Sequence, residues 1–495
     1  MAAVAAQAAA PQPDILLFMP DQFRGDCLGI AGHPVVRTPH LDQLAREGVR
    51  FRGAWSTCPS CIPARHALLT GQHPATSGVV GFAGRPILTP TLPQLLAAAG
   101  YQTMLCGRYM HQEPTADNYG YDREIRGSTY VPDDDYDHYL KREAPATGGI
   151  VELVRQLGLS MNGWAAKPWP LDEALHPTAW TGREAALALR DTPTDRPLFL
   201  TASFYSPHSP LFPPRRLFEA YAAMTLPPPA HGDWVHWDAL SPEGDRTGHR
   251  VRLEGATLHA TQAGYFGLVE QIDEQFAALR SALRERAARS HRPWIVVFTS
   301  DHGELLGDHG YYRKCEPYEG SAHIPMLIAG SPDLHLAAGR TVDQPVGLED
   351  ILPTLLEFAG APPRPGLDGV SLAPALRGQP FQSRHWLAFE HAPCYSQEQS
   401  FQALTDGRVK YIWRPLNGTE QFFDLEKDPR EEHDLAADPA SRTRVEEGRA
   451  ELIRRLAGRP EGFSDGAKLI PGRPYPPLQA RPPRPAADPG VTPKS

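Results

Sequence analysis

The chain predicts an α/β fold built on a large, mostly parallel sheet, and three observations carry that reading. Ile15 to Met19, Leu198 to Phe204 and Trp294 to Thr299 are continuous apolar runs, the pattern of strands covered on both faces. Segments of helical periodicity lie between such runs, as an alternating α/β chain requires. Each run ends on polar residues: Pro20-Asp21-Gln22, Ser206-Pro207-His208 and Ser300-Asp301-His302. Ligands of open α/β sheets bind beyond the carboxyl ends of the strands, so these ends nominate Asp21, Gln22, His208, Asp301 and His302 as one site.

The elements follow in order. Residues 1–12 are alanine-rich, are interrupted by Gln7 and Pro11, and read as a disordered N terminus. After the first strand, Thr38-Pro39 offers an N-cap and a first-turn proline, Leu41, Leu44 and Ala45 keep helical spacing, and Gly48 closes the helix. Val49 to Phe51 resumes extended chain. The same grammar returns with Thr91, Leu95, Leu96, Ala99 and Gly100, followed by a strand over Tyr101 to Cys106. From Glu113 to Pro177 and from Pro213 to Glu254 the periods weaken, which predicts loops and short helices over the site. The α/β domain spans 13–378. Beyond it, Trp386 to Phe389, Gln402 to Thr405, Lys410 to Trp413 and Gln421 to Leu425 read as short strands with turns such as Asn417-Gly418 between them. A helix over Ser441 to Leu456 completes a small antiparallel C-terminal domain, 379–470. The proline-rich end, 471–495, is expected to be disordered.

Length and composition narrow the function classes. At 495 residues, with 41% hydrophobic and 22% charged residues, the chain exceeds a minimal binding module and suits a folded enzyme. A net charge of −9 argues against a nucleic-acid partner. The N terminus makes a poor signal peptide and no apolar run reaches the ~18 residues of a membrane span, so a cytoplasmic protein without a membrane partner is expected. Six scattered cysteines suggest reduced thiols rather than a disulfide framework.

The most informative segment is Cys58-Pro59-Ser60-Cys61-Ile62-Pro63-Ala64-Arg65, running on to Thr70-Gly71. Pro63 fits the first turn of a helix, which puts Cys61 at a helix N-terminus, where free backbone N–H groups favour an anion. Here the chain resembles the sulfatase family, whose Cys-x-Pro-Ser/Ala-Arg signature with a later Thr-Gly marks a cysteine converted to formylglycine. Asp21-Gln22, Thr38-Pro39-His40-Leu41-Asp42, Pro207-His208-Ser209-Pro210, Ser300-Asp301-His302-Gly303-Glu304, Gly307-Asp308-His309-Gly310, Lys314, Tyr318-Glu319, and Asp406-Gly407-Arg408 with Lys410-Tyr411 fall in that family's order. The similarity covers roughly residues 13 to 440.

The resemblance implies an alkaline phosphatase-like fold and a metal-dependent sulfuric ester hydrolase. It implies that Cys61 becomes an aldehyde whose hydrate attacks sulfur with one hydroxyl and expels the covalent ester with the other. Asp21, Gln22, Asp301 and His302, with the Cys61-derived oxygen, would hold one divalent metal. Arg65 would orient the hydrate, Lys314 and Arg108 would bind the tetrahedral anion, and His208 would protonate the leaving oxygen or bind the ester. The implied partners are a formylglycine-generating enzyme for maturation and a small-molecule or saccharide sulfate ester as substrate.

Departures from the pattern keep alternatives open. Gln22 and His302 replace the Asp and Asn of many sulfatases, so Mn2+ competes with Ca2+. The same pair occurs in related phosphonate monoester and phosphodiester hydrolases, a second reading built from the same parts. A third, non-enzymatic reading is an inactive binding homologue. In Gly107-Arg108-Tyr109-Met110-His111, either Arg108 replaces the family's lysine, or a one-residue shift makes His111 the family's histidine with Tyr109 facing the substrate. Cys58 reads as a packed residue, His33 and His40 as structural, and Asp133 to Asp135 as a solvated loop. Trp164, Trp169, Trp234 and Trp237 suit sugar stacking or core packing equally.

Overall fold

The computed structural model describes residues 11–110, 112, 117–240, 250–381 and 384–480. Among the described residues, fourteen strands follow in chain order. They are β1 (Asp14–Asp21), β2 (Val49–Phe51), β3 (Ala54–Trp55), β4 (Gln102–Gly107), β5 (Arg123–Arg126), β6 (Leu198–Pro207) and β7 (Trp294–Thr299). Then come β8 (Met326–Gly330), β9 (Arg340–Val342), β10 (Val346–Gly347), β11 (Leu387–His391), β12 (Phe401–Thr405), β13 (Val409–Trp413) and β14 (Glu420–Asp424). Eight form the central sheet in the order β5-β4-β6-β1-β7-β8-β2-β9. β5, β4, β6, β1 and β7 run parallel, and β8 is antiparallel to both of its neighbours.

Alternation along the central strands builds two cores. Ile15, Leu17 and Met19 of β1 join Ile295 and Val297 of β7 on one face, against Leu68, Leu352 and Leu355. Leu16, Phe18, Val296 and Phe298 occupy the other face, beneath the helix Pro177–Asp191 and the 36-residue helix Gly255–Ser290. A strand buried on both faces must be apolar at every position, which is why these runs were readable. Helix α1 (Pro39–Glu47) starts after Thr38 and stops at Gly48 as expected, although Thr38 makes no capping bond there and instead bonds Asp42. Thr91 forms a full capping box with Gln94 ahead of the helix Leu92–Ala98. No helix among the described residues is long and apolar enough to cross a membrane.

The C-terminal sheet runs β11-β12-β13-β14, all antiparallel, with the helix Arg442–Leu456 behind it. Its β13 lysine reaches back to the large domain: buried Lys410 lies 2.7 Å from Glu319 and 2.6 Å from Glu431.

Three expectations need correction. Residues 471–480 are ordered: Leu478 bridges Val79, the Val80 N–H donates to the Pro477 carbonyl at 3.0 Å, and the Tyr475 side chain is buried. Prolines weaken regular structure but still present carbonyls, and here the body supplies the donors. Gln12, assigned to the disordered start, donates to the Ala99 and Ala359 carbonyls at 3.0 and 2.7 Å. Of the acidic triplet only Asp133 is an exposed loop residue; Asp135 begins the helix Asp135–Glu143, and buried Asp134 is its N-cap, accepting from the Asp137 N–H at 2.9 Å. Carboxylates gather there because the helix N-terminus is positive.

Candidate active site

Four adjacent strands deliver the site at their carboxyl ends: Arg108 follows β4, Ser203 and His208 come from β6 and the loop after it, Asp21 ends β1, and Asp301 follows β7. Helix α2 (Cys61–Thr70) points its N-terminus at them, with Ser60 as N-cap and left-handed Gly71 as its stop. Gly107 allows the β4 turn: its φ is 96°, and a Cβ there would lie 2.1 Å from the Ser203 carbonyl oxygen. The Arg108 N–H then donates to that same carbonyl at 2.8 Å.

The charges are arranged asymmetrically. Asp21 Oδ2 pairs with Arg108 Nε at 2.7 Å and with Arg65 Nη2 at 3.0 Å, while its Oδ1 faces Cys61 Sγ at 3.8 Å. Asp301 Oδ2 pairs with Arg65 Nε at 3.0 Å, and its Oδ1 accepts from the Gln22 N–H at 3.1 Å. His302 Nδ1 donates to the Gly303 carbonyl at 2.9 Å, which turns Nε2 toward Cys61 Sγ, 3.2 Å away. That Nε2 also lies 3.8 Å from Oδ1 of both Asp21 and Asp301. Lys314 Nζ donates to Gln22 Oε1 at 2.9 Å and to His208 Nε2 at 2.6 Å, and His208 Nδ1 donates to the Ser209 carbonyl at 2.8 Å.

These contacts set the protonation states. Burial opposes ionisation of Asp21, yet Arg108, with help from Arg65 and His302, holds its carboxyl well below the usual range. Burial and neighbouring Asp21 push Asp301 up against the pull of His302 and Arg65. For His302, burial alone would disfavour a charged ring, but Asp301 and Cys61 outweigh it and raise the imidazole to about 9. The pocket therefore favours positive charge at Nε2. His208 goes the other way: burial, then the Lys314 ammonium, hold it well below an ordinary histidine, so it is neutral at pH 7.

The predicted residues come together with two exceptions. His111 lies outside the described residues. Tyr109, offered as a substrate-facing residue, packs in the core against the guanidinium of Arg126, 4.6 Å over its ring, so the position beside Asp21 belongs to Arg108. Asp21, Cys61, Asp301 and His302 offer ligand atoms all within 4.8 Å of one another, a donor set of oxygen, nitrogen and sulfur that fits one metal ion. The tryptophans divide: Trp169 is core, edge-on to His176, while half-buried Trp234 stacks on Tyr318 with centroids 4.9 Å apart.

Sequence reasoning missed several supports. Ser203 Oγ accepts from Arg65 at 3.1 Å, Tyr205 and Tyr130 flank the Arg108 guanidinium at 4.7 and 5.2 Å, and His391 of β11 accepts from Ser60 at 2.7 Å. One signal was present: Thr201, Ser203 and Tyr205 are polar at every second position of an otherwise apolar run.

Comparison with known proteins agrees with this geometry. The family profile Sulfatase matches residues 13–361, and the profile for the C-terminal part of N-sulphoglucosamine sulphohydrolase matches 307–457. An arylsulfatase of Clostridium perfringens is 35% identical over 94% of this chain and 98% of its own. A choline-sulfatase of Rhizobium meliloti is 28% identical over 86% of this chain and 83% of its own. Among solved structures, the phosphonate monoester hydrolase of Agrobacterium radiobacter superposes with a TM-score of 0.74 at 25% identity, covering 90% of this chain and 95% of the other. The fold is thus that of the alkaline phosphatase-like hydrolases. The chain belongs to the sulfatase family and is a sulfuric ester hydrolase.

Proposed function

We propose that this enzyme cleaves sulfate esters with a formylglycine derived from Cys61, working beside one divalent cation. The observation that carries the reading is the meeting of Cys61 Sγ, His302 Nε2 and Asp21 Oδ1 within 3.8 Å of one another at the N-terminus of α2. Asp21, Gln22, Asp301 and His302 would hold the cation, Ca2+ or Mn2+, which lowers the pKa of a coordinated hydroxyl and offsets charge on the ester. Burial disfavours charge on the His302 ring, yet the Asp301 carboxylate beside it favours positive charge at Nε2, a proton or a metal ion, and stays in place when Cys61 is converted.

The chain's own groups divide the remaining work. An aldehyde hydrate at position 61 has two hydroxyls, one to attack sulfur and one to expel the enzyme-bound ester, whereas a thiol has no second hydroxyl. Arg65, tied to both carboxylates, orients residue 61, and the α2 N-terminus favours the anion beside it. Arg108 and Lys314 supply positive charge for the tetrahedral sulfate. A neutral His208 fits ester binding, and leaving-group protonation would draw on the proton shared with Lys314 across 2.6 Å. A formylglycine-generating enzyme is the implied maturation partner. Small-molecule and saccharide sulfate esters are the substrates to try, since relatives include a choline-sulfatase and an ulvan-active sulfatase.

Turnover of one aryl group as its sulfate and as its phenylphosphonate ester tests the reading. A kcat/KM favouring the sulfate supports it. A preference for the phosphonate moves the enzyme to the phosphonate monoester reading, which the Gln22 and His302 donor set and the phosphonate monoester hydrolase likeness favour.

A further inference from the structure

Glu304, fifth residue of the Ser300-Asp301-His302-Gly303-Glu304 segment, has no part in the chemistry above, yet it is buried and fully engaged. Its Oε1 accepts from the backbone N–H groups of Leu306 at 2.9 Å and Arg313 at 2.5 Å, and its Oε2 accepts from Gln22 Nε2. Gln22 is equally constrained. Its φ of 67° lies in the left-handed region that a glutamine seldom adopts. Its N–H is held by Asp301 Oδ1 at 3.1 Å and its carbonyl by the Tyr265 hydroxyl at 2.7 Å, so the backbone cannot swing to re-aim the side chain.

The Gln22 amide thus lies between two groups with opposite demands. An ionised carboxylate only accepts hydrogen bonds, and an ammonium only donates them. With Glu304 on one side and Lys314 on the other, one orientation satisfies both: NH2 toward Glu304, carbonyl oxygen toward Lys314, whose ammonium also bonds His208. The flipped amide would set donor against donor and acceptor against acceptor, leaving buried polar groups unpaired on both sides.

We propose that Glu304 is a positioning residue that fixes the Gln22 amide oxygen toward the pocket, making Gln22 a neutral, pre-oriented oxygen donor for the cation. This rests on the metal site proposed above. Carboxylate ligands need no such orientation, because their two oxygens are equivalent. A glutamine ligand does, and an outer partner that fixes a ligand's orientation is worth about 10- to 100-fold in metal affinity.

Calorimetric titration of the purified protein with Mn2+ and, separately, Ca2+ tests the proposal. Glu304→Gln should weaken binding at least tenfold: its own NH2 would face Gln22, whose amide must then turn its NH2 toward Lys314. The double variant Gln22→Glu with Glu304→Gln exchanges the polarity of the contact at constant shape, and should recover wild-type affinity or better. Glu304→Gln binding like wild type overturns the proposal, as does a folded double variant that binds no better than Glu304→Gln. If Glu304→Gln alone does not fold, the double variant decides by the same criterion against wild type. Wild-type protein that binds neither ion overturns the metal reading and this inference with it, whereas a defect confined to the variants leaves that reading standing.

Discussion

Two buried charge clusters in this molecule use carboxylate–arginine pairs to opposite ends. Around Glu390, at the start of the C-terminal sheet, acceptors meet donors: Oε1 takes Arg459 Nη1 at 3.0 Å, and Oε2 takes Arg459 Nη2 at 2.7 Å, Gln402 Nε2 at 2.9 Å and the Tyr475 hydroxyl. At the ends of β1 and β7, Arg65 and Arg108 neutralise only the outer oxygens, while Asp21 Oδ1, Asp301 Oδ1, His302 Nε2 and Cys61 Sγ turn toward a common point. The first cluster is complete in itself and holds a tail in place. The second leaves four ligand atoms facing one another, which the proposed function gives to a cation, and that is what separates a site from a fastener.

The largest effect is expected at residue 61. Cys61→Ala should lower turnover of an aryl sulfate at least ~10⁴-fold, because under the proposed function it removes the nucleophile rather than a contact. Its melting temperature should stay near that of wild type. A folded variant with more than a tenth of wild-type turnover would contradict the assignment.

Metal removal sharpens the difference. Chelation should cost the wild type up to about 4 kcal/mol of stability relative to a thousandfold excess over Kd, returned by Ca2+ or Mn2+. Asp301→Asn should lose that metal-dependent shift in a thermal melt, while Glu390→Gln should keep it.

The fastener should instead answer to acid. Burial would raise the Glu390 carboxyl, but Arg459 outweighs it and holds the group at about 2 against an ordinary 4.5. A depressed carboxylate contributes stability above its unfolded pKa and loses it as pH falls through the folded value. Glu390→Gln should therefore cost roughly 3 kcal/mol at pH 7, and the deficit should close between pH 4.5 and 2 in urea melts. A deficit that stays constant across that range would show that packing rather than charge is at work. The smallest effect belongs to Tyr475→Phe, about 1 kcal/mol, with turnover unchanged.

How much of this was legible in the sequence follows from where the information lies. β1, β6 and β7 were visible because burial on both faces leaves unbroken apolar runs, and Asp21, His208 and Asp301 were visible because each run ends on them. Cys61 was placed at a helix start by Pro63 two residues on. Glu304 and His391 were not legible as supports, since each acts through a partner hundreds of residues away: Gln22 for one, Ser60 for the other. The ordered stretch from 471 to 480 escaped for a similar reason, because its donors and its tyrosine partner belong to the body of the protein. Proline content predicts the absence of helix and strand, and it is silent on docking.

The central claim is tested most directly by the mass of the tryptic peptide Gly53 to Arg65, from active protein made with a formylglycine-generating enzyme. Formylglycine would show as the loss of one sulfur and two hydrogens and the gain of one oxygen at Cys61, in proportion to specific activity. An unmodified Cys61 in fully active protein would contradict that claim.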